Sequence, residues 1–129
     1  MSNKILIVDD DADFVEAMKT LLEVKGGYEV ESAFSGKEGF EKAKVFKPGL
    51  ILLDVMMTHK SEGFDTAQNI KNDPIIKDIP VIIVSGIRKE MNLPFGFEPN
   101  EDWLPVKAVL EKPVKPEVLL KAIHENIKG

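Results

Sequence analysis

LILLD, residues 50–54, is a short apolar run that ends abruptly in a carboxylate. It is too short for a buried helix and consists of Leu and Ile, which is typical of a strand covered on both faces. Similar runs occupy residues 5–8 and 81–84, and weaker ones occupy residues 28–33 and 106–110. The sequence therefore predicts five short strands.

Amphipathic segments with helical spacing of apolar residues separate the first four strands, and another follows the fifth. The first segment follows Asp11, a candidate N-cap, and stops at Gly26-Gly27. The second has Ser35 as its N-cap, and the last opens with Pro116 near its first turn. Alternation of strand and helix implies a five-stranded parallel sheet, doubly wound, with helices on both faces. The fold class is therefore α/β.

Polar residues stand where the predicted strands end. In sheets of this kind, function collects beyond the carboxyl ends of the strands. Clustered carboxylates repel one another unless a cation intervenes, and hard oxygen ligands suit Mg²⁺. A carboxylate in such a site can act as a nucleophile toward a phosphoryl group, whose charge a metal, an ammonium and a hydroxyl would neutralise. The strand ends carry Asp9-Asp10-Asp11, Phe34-Ser35, Asp54, Ser85 and Lys112.

Composition restricts the class of protein. The 129 residues suffice for one domain, residues 1–129, and the net charge of −5 gives no basic surface for nucleic acid or anionic membrane. The chain has no cysteine, which excludes disulfides, thiol catalysis and cysteine-ligated zinc. The N-terminus lacks the features of a signal peptide, and no apolar run approaches the ~20 residues of a membrane span. We expect a cytoplasmic protein without membrane insertion.

Four segments resemble the signature segments of response-regulator receiver domains: KILIVDDD, LILLDVMM, PVIIVSG and LEKPV, in this order and spacing. The resemblance extends over essentially the whole chain and implies the flavodoxin-like receiver fold. It implies that Asp54 is the phosphoacceptor. It also implies that Asp10, Asp54 and the backbone carbonyl of Met56 ligate Mg²⁺ directly, whereas Asp9 acts through water.

The same resemblance assigns the two other polar strand ends. Ser85 occupies the position of the switch hydroxyl, and Lys112 that of the lysine that contacts the phosphoryl group. The Lys112–Pro113 bond is usually cis in that family, although cis is a minority state for X–Pro bonds.

The function implied by the resemblance is two-component signal transduction. A histidine kinase or histidine phosphotransfer protein donates the phosphoryl group, and the aspartyl phosphate shifts a two-state equilibrium in the surface loops. The changed surface then controls a partner protein. Such a domain assists its own phosphorylation but is not an enzyme with a separate substrate. The chain is then a stand-alone regulator or the N-terminal domain of a longer one.

Three features depart from the receiver pattern. Thr58 stands where the family usually has proline, and the segment to Gly63 is one residue longer. Val109 occupies the position of the aromatic switch residue. The connection from Ser85 to Lys112 is about five residues longer than usual. We expect the helix of that connection to be short or replaced by a loop.

Two other classes of function compete with this interpretation. An aspartyl-phosphate hydrolase of the haloacid-dehalogenase type also has a strand followed by D-x-D, as at residues 5–11, but needs an acidic pair after a late strand, where this chain has only Leu110-Glu111. Turnover of a small phosphate ester would distinguish it. A non-phosphorylated interaction module with receiver architecture is the third class, and failure to bind Mg²⁺ would support it.

The connection between the fourth and fifth strands gives a prediction about output. Residues 88–105 contain three prolines and a glycine, and an interior proline costs a helix ~3 kcal/mol or more. We expect at most one helical turn there, over Arg88–Leu93, and otherwise an extended loop that rearranges on phosphorylation. Trp103 emission should therefore change when beryllofluoride and Mg²⁺ are added. Unchanged emission despite full modification of Asp54 would contradict the loop as the moving element.

Overall fold

A computed structural model describes residues 3–54, 62–85, 106–111 and 114–127. These ranges form one five-stranded parallel sheet and four helices. The strands are β1 (Lys4–Val8), β2 (Glu29–Ala33), β3 (Leu50–Leu53), β4 (Val81–Ser85) and β5 (Ala108–Glu111). The helices are α1 (Ala12–Gly26), α2 (Gly36–Phe46), α3 (Glu62–Asn72) and α4 (Pro116–Asn126).

The strand order is β2-β1-β3-β4-β5, and every neighbouring pair is parallel. The predicted doubly wound α/β fold is confirmed. The register brings the last residue of β1, Val8, opposite the last residues of both its neighbours, Ala33 in β2 and Leu53 in β3. The residues that follow these three therefore leave the sheet at one edge.

Side chains on the sheet alternate between two hydrophobic clusters, as expected for strands covered on both faces. In β1, Leu6 and Val8 belong to the cluster that contains Ala43 of α2 and Ile70 of α3. Their neighbours Ile5 and Ile7 belong to the cluster that contains residues of α1 and α4. Helices therefore cover both faces of the sheet and leave its edges as the places where polar groups reach solvent.

Helix boundaries follow the capping signals. Asp11 is the N-cap of α1, and its carboxylate accepts hydrogen bonds from the N–H groups of Asp13 and Phe14. Ser35 caps α2 through the Glu38 N–H. At the other end of α1, Gly27 adopts the left-handed conformation at φ 69°, which glycine tolerates without steric cost. Each of these helix ends was predicted, as was Pro116 in the first turn of α4.

Some sequence predictions concern residues outside the described ranges. These include the loop proposed for the connection between β4 and β5, with Trp103, and the cis Lys112–Pro113 bond. They stay predictions.

Among the described helices, none combines the length and apolar character that crossing a membrane requires.

Asp73 joins α2 to the segment between α3 and β4. Its carboxylate accepts hydrogen bonds from the N–H groups of Ile75 and Ile76 and lies 3.5 Å from the Lys44 ammonium. The Asp73 side chain is only 11% exposed. The hydrogen bond from Ile75, followed by the charge of Lys44, holds the pKa of Asp73 below its usual value of 3.8.

The lowered pKa makes the stability contribution of Asp73 dependent on pH. The contribution is complete above the unfolded pKa and is lost as pH falls through the folded one. Asp73→Asn keeps an acceptor oxygen but removes the charge, so we expect it to lower the urea midpoint near neutral pH. The difference from the parent should shrink as pH falls below about 4. Asp78→Asn, at an exposed position of the same turn, is the matched control. A difference that does not vary with pH would contradict this role.

Candidate metal centre

Three carboxylates converge at the carboxyl edge of the sheet. Asp9, Asp10 and Asp54 each offer an oxygen atom, and these atoms all lie within 4.8 Å of one another. Asp9 and Asp54 are buried, with 1% and 5% of their surface exposed, whereas Asp10 is exposed. The acid cluster predicted from the sequence is therefore present in the fold, with one member open to solvent.

Parallel strand pairing fixes the two buried acids. The N–H of Asp9 donates to the carbonyl of Ala33 at 3.0 Å, and the N–H of Asp54 donates to the carbonyl of Val8 at 2.9 Å. The Asp11 N–H donates to Oδ1 of Asp9 at 2.9 Å, which orients that carboxylate. The positions of both acids therefore depend on the register of β1 with its two neighbours.

The electrostatics of this cluster favour a bound cation. Two unit charges 4 Å apart repel each other by about 4 kcal/mol at the effective dielectric constant of a protein surface, about 20. Burial of Asp9 and Asp54 reduces the screening of that repulsion by water. A divalent cation among the carboxylates converts the repulsion into attraction. The cluster is therefore electrostatically suited to a metal ion.

The donor set fits Mg²⁺. The ion binds oxygen at about 2.0–2.1 Å, so two of its ligands are at most about 4.2 Å apart, and it usually keeps several waters with one or two carboxylates. Oxygens that lie within 4.8 Å of one another can supply two direct ligands and a third that acts through water. Asp9, Asp10 and Asp54 are thus suitable in type and spacing.

The remaining predicted site residues are only partly within the described structure. Ser85 is the last residue of β4, and its backbone pairs with Glu111 of β5 at the same edge as the acids. Met56 and Lys112 lie outside the described residues. Asp11, which the resemblance does not assign to the metal, is the N-cap of α1.

A second group of contacts at this edge was not predicted. Oε1 of Glu38 accepts a hydrogen bond from the Phe34 N–H at 2.8 Å, and its Oε2 lies 3.8 Å from the Lys42 ammonium. Lys42 also donates to the carbonyl of Ser32 in β2. The sequence does contain a signal for part of this arrangement, because Ser35 followed three residues later by Glu38 is the capping-box pattern. No local sequence pattern predicts the hydrogen bond from Lys42 to Ser32 in β2.

Comparison with known proteins agrees with the geometry. Residues 5–124 match the family described as the response regulator receiver domain. The chain belongs to this family. It is therefore a receiver domain homologous to the response regulators of two-component systems.

Relatives of this receiver domain differ in length. Protein PilH of Pseudomonas aeruginosa is 32% identical over 126 residues, which cover 98% of each chain. The alkaline phosphatase synthesis transcriptional regulatory protein PhoP of Bacillus subtilis is 32% identical over 79% of this chain but only 41% of its own length. The chain spans about half the length of the first three curated relatives it matches, 41–53%.

Solved structures share the architecture. The N-terminal domain of a response regulator receiver protein from Methanoculleus marisnigri is 35% identical, with a TM-score of 0.71 and coverage of 95% of this chain and 94% of that one. A CheY-like receiver domain protein from Methanospirillum hungatei is 28% identical, with a TM-score of 0.74 over 97% and 93% of the two chains. The receiver fold is thus supported by sequence and by structure.

The metal site can be tested by titration. With the ligand set that the receiver resemblance implies, we expect Asp10→Asn and Asp54→Asn to weaken Mg²⁺ binding about tenfold or more, because each would remove a charged ligand, and Asp9→Asn to weaken it about 10–100-fold through the outer shell. Without Mg²⁺, Asp54→Asn should raise the melting temperature, because it relieves repulsion in the cluster. The measurements are calorimetric titration and the Mg²⁺-dependent shift in melting temperature.

The control for this titration is Asp11→Asn, which retains the cap of α1 and lies outside the carboxylate cluster. It should bind Mg²⁺ as the parent does. Equal Mg²⁺ affinity of the parent and Asp10→Asn would rule out direct ligation by Asp10.

Proposed function

We propose that this receiver domain accepts a phosphoryl group on Asp54 from a phosphohistidine of a histidine kinase or histidine phosphotransfer protein. Mg²⁺ is held by Asp10, Asp54 and the carbonyl of Met56, and Asp9 binds it through water. The observation that carries the proposal is the convergence of three carboxylates within 4.8 Å at the end of β1 and β3, in a chain of the receiver family.

Asp54 is the member of the cluster best placed to be the nucleophile. It follows the apolar strand β3 and is buried, with 5% of its surface exposed. Its backbone N–H donates a hydrogen bond to the carbonyl of Val8. This bond fixes the position of Asp54 at the end of the strand. Asp10 is exposed and lies beside Asp54. An exposed carboxylate suits Mg²⁺, because the ion usually keeps several waters as its other ligands.

The transfer step exchanges one bond for another. A carboxylate oxygen of Asp54 attacks phosphorus, and the bond from phosphorus to the imidazole nitrogen of the donor breaks. The electron pair of that bond stays on the ring, which already carries a proton on its other nitrogen and leaves as neutral imidazole. The product is an acyl phosphate on Asp54. Because phosphoryl transfer requires little covalent chemistry from a protein, positioning and charge neutralisation account for most of the catalysis. Mg²⁺ supplies charge neutralisation when it is bound.

Ser85 and Lys112 complete the proposed phosphoryl site. The Lys112 ammonium pairs with one phosphoryl oxygen, and the Ser85 hydroxyl donates a hydrogen bond to another. Support comes from topology, because β4 ends at Ser85 and β5 ends at Glu111, directly before Lys112. Strands β4 and β5 lie on the side of β3 that is opposite to β1.

The phosphorylated domain acts as a regulator and not as an enzyme with a separate substrate. Residues 1–129 form one receiver domain, whose changed surface loops control a partner protein. The match covers 98% of PilH but only 41% of the longer transcriptional regulator PhoP. We place this activity in the cytoplasm, where transcriptional regulators act. The net charge of −5 does not favour direct nucleic-acid binding.

Phosphorylation with a small donor tests the proposal. Phosphoramidate with Mg²⁺ should label the parent chain with an acid- and base-labile phosphoryl group, and Asp54→Asn should abolish the label. Asp11→Asn should keep most of it, because that side chain caps α1. Mass spectrometry measures the added phosphoryl group. Undiminished label on the Asp54 variant would refute the assignment, and sustained turnover of p-nitrophenyl phosphate would favour the hydrolase alternative.

A further inference from the structure

Phe34 is a large apolar side chain at the same edge as the acid cluster. It directly follows β2, whose last residue, Ala33, pairs with Val8 and accepts a hydrogen bond from the Asp9 N–H. Phe34 and Asp9 are therefore the first residues beyond the paired positions of two neighbouring strands. Phe34 nevertheless has 47% of its surface exposed, while the apolar residues of β1 and β3 are buried. The proposed function of the site does not use it.

The backbone that carries Phe34 is held in place. Its N–H donates to Glu38 Oε1 at 2.8 Å, and the next residue, Ser35, caps α2 through the Glu38 N–H. Lys42 lies 3.8 Å from the other carboxylate oxygen of Glu38 and also donates to Ser32. An exposed aromatic ring on a fixed backbone loses little conformational freedom when a partner covers it, which is a property of binding hot spots.

The direction from which a donor protein can approach Asp54 brings its surface near Phe34. Helices cover both faces of the sheet, so a phosphohistidine reaches Asp54 from the carboxyl edge. β3 and β2 are the two neighbours of β1, so Asp54 and Phe34 are about two strand spacings apart, about 10 Å. A standard protein interface covers about 800 Å² per partner, a disc of about 16 Å radius. Phe34 therefore lies within the area that a donor protein centred on Asp54 would cover.

The charges around Phe34 indicate the chemistry of that partner. Asp10, Asp11 and Asp13 are exposed where β1, the neighbour of β2, leads into α1. A complementary surface presents an apolar contact flanked by basic side chains, since opposite potentials steer association and like charges oppose it. The acidic rim thus favours a partner surface with positive charge near its phosphohistidine.

We propose that Phe34 is a docking contact for the protein that donates the phosphoryl group, with no part in the transfer step itself. This inference rests on the proposed function of Asp54. It distinguishes two roles at one edge of the sheet. Buried Asp9 and Asp54 serve the chemistry, and exposed Phe34 serves recognition of the donor.

The experiment compares a protein donor with a small donor that has the same phosphorus–nitrogen bond. The protein donor is an autophosphorylated histidine kinase, chosen from the purified kinases of the source organism as the one that labels the parent chain fastest. The small donor is phosphoramidate, which has no docking surface. Phe34→Ala should slow labelling by the kinase about tenfold or more, as expected for loss of a binding hot spot. Labelling by phosphoramidate, and Mg²⁺ affinity, should stay within about twofold of the parent.

Two further variants serve as controls. Val45→Ala also removes an exposed apolar side chain, 85% exposed, from the last turn of α2, away from the carboxyl edge, and should not affect either donor. Phe34→Leu keeps an apolar contact and should recover most of the kinase rate. Unchanged kinase labelling of Phe34→Ala, or an equal loss with both donors, would overturn the docking role. Absence of phosphoramidate labelling in the parent would instead refute the function proposed for Asp54, and the docking role with it.

Discussion

The pairing of β1 with both β2 and β3 is the constraint on which the site depends. Val8 lies opposite Ala33 on one side and Leu53 on the other, and its carbonyl accepts the Asp54 N–H. A shift of one residue in either register would move a carboxylate to the other face of the sheet, because side chains alternate along a strand. Burial of both faces makes such a shift costly. The hydrophobic core therefore holds the acids at one edge.

The close approach of the three carboxylates is electrostatically unfavourable for the folded protein. Apolar strands with fully buried side chains bring Asp9 and Asp54 close to Asp10, where like charges repel. The fold maintains this repulsion because the strands are stabilised by contacts that do not involve the carboxylates. A cluster of charges held together by a core is preorganised for a cation, since the cation does not have to assemble the site on binding.

The residues at the carboxyl edge of the sheet differ in their exposure to solvent. The buried acids sit on backbone positions fixed by the sheet, whereas Asp10 and Phe34 face solvent beside them. Contacts outside the sheet hold the surroundings in place: Glu38 and Lys42 fix the start of α2, and Asp73 with Lys44 fixes the other end of that helix. Under the proposed roles, recognition and chemistry can change independently, since mutation of an exposed residue leaves the core that positions the acids intact.

The sequence by itself determined the elements and the composition of the site. Short Leu, Ile and Val runs specify strands, and side-chain caps such as Asp11 and Ser35 specify helix starts, because these signals act within a few residues of the chain. The acids and Ser85 could be placed at one edge once parallel strands were inferred. Only the tertiary structure decided that Asp9 is buried while its neighbour Asp10 is exposed, and that Lys42 bonds to β2 and Asp73 to Lys44. Those contacts join segments from different parts of the chain, and no local pattern specifies which segments will become neighbours.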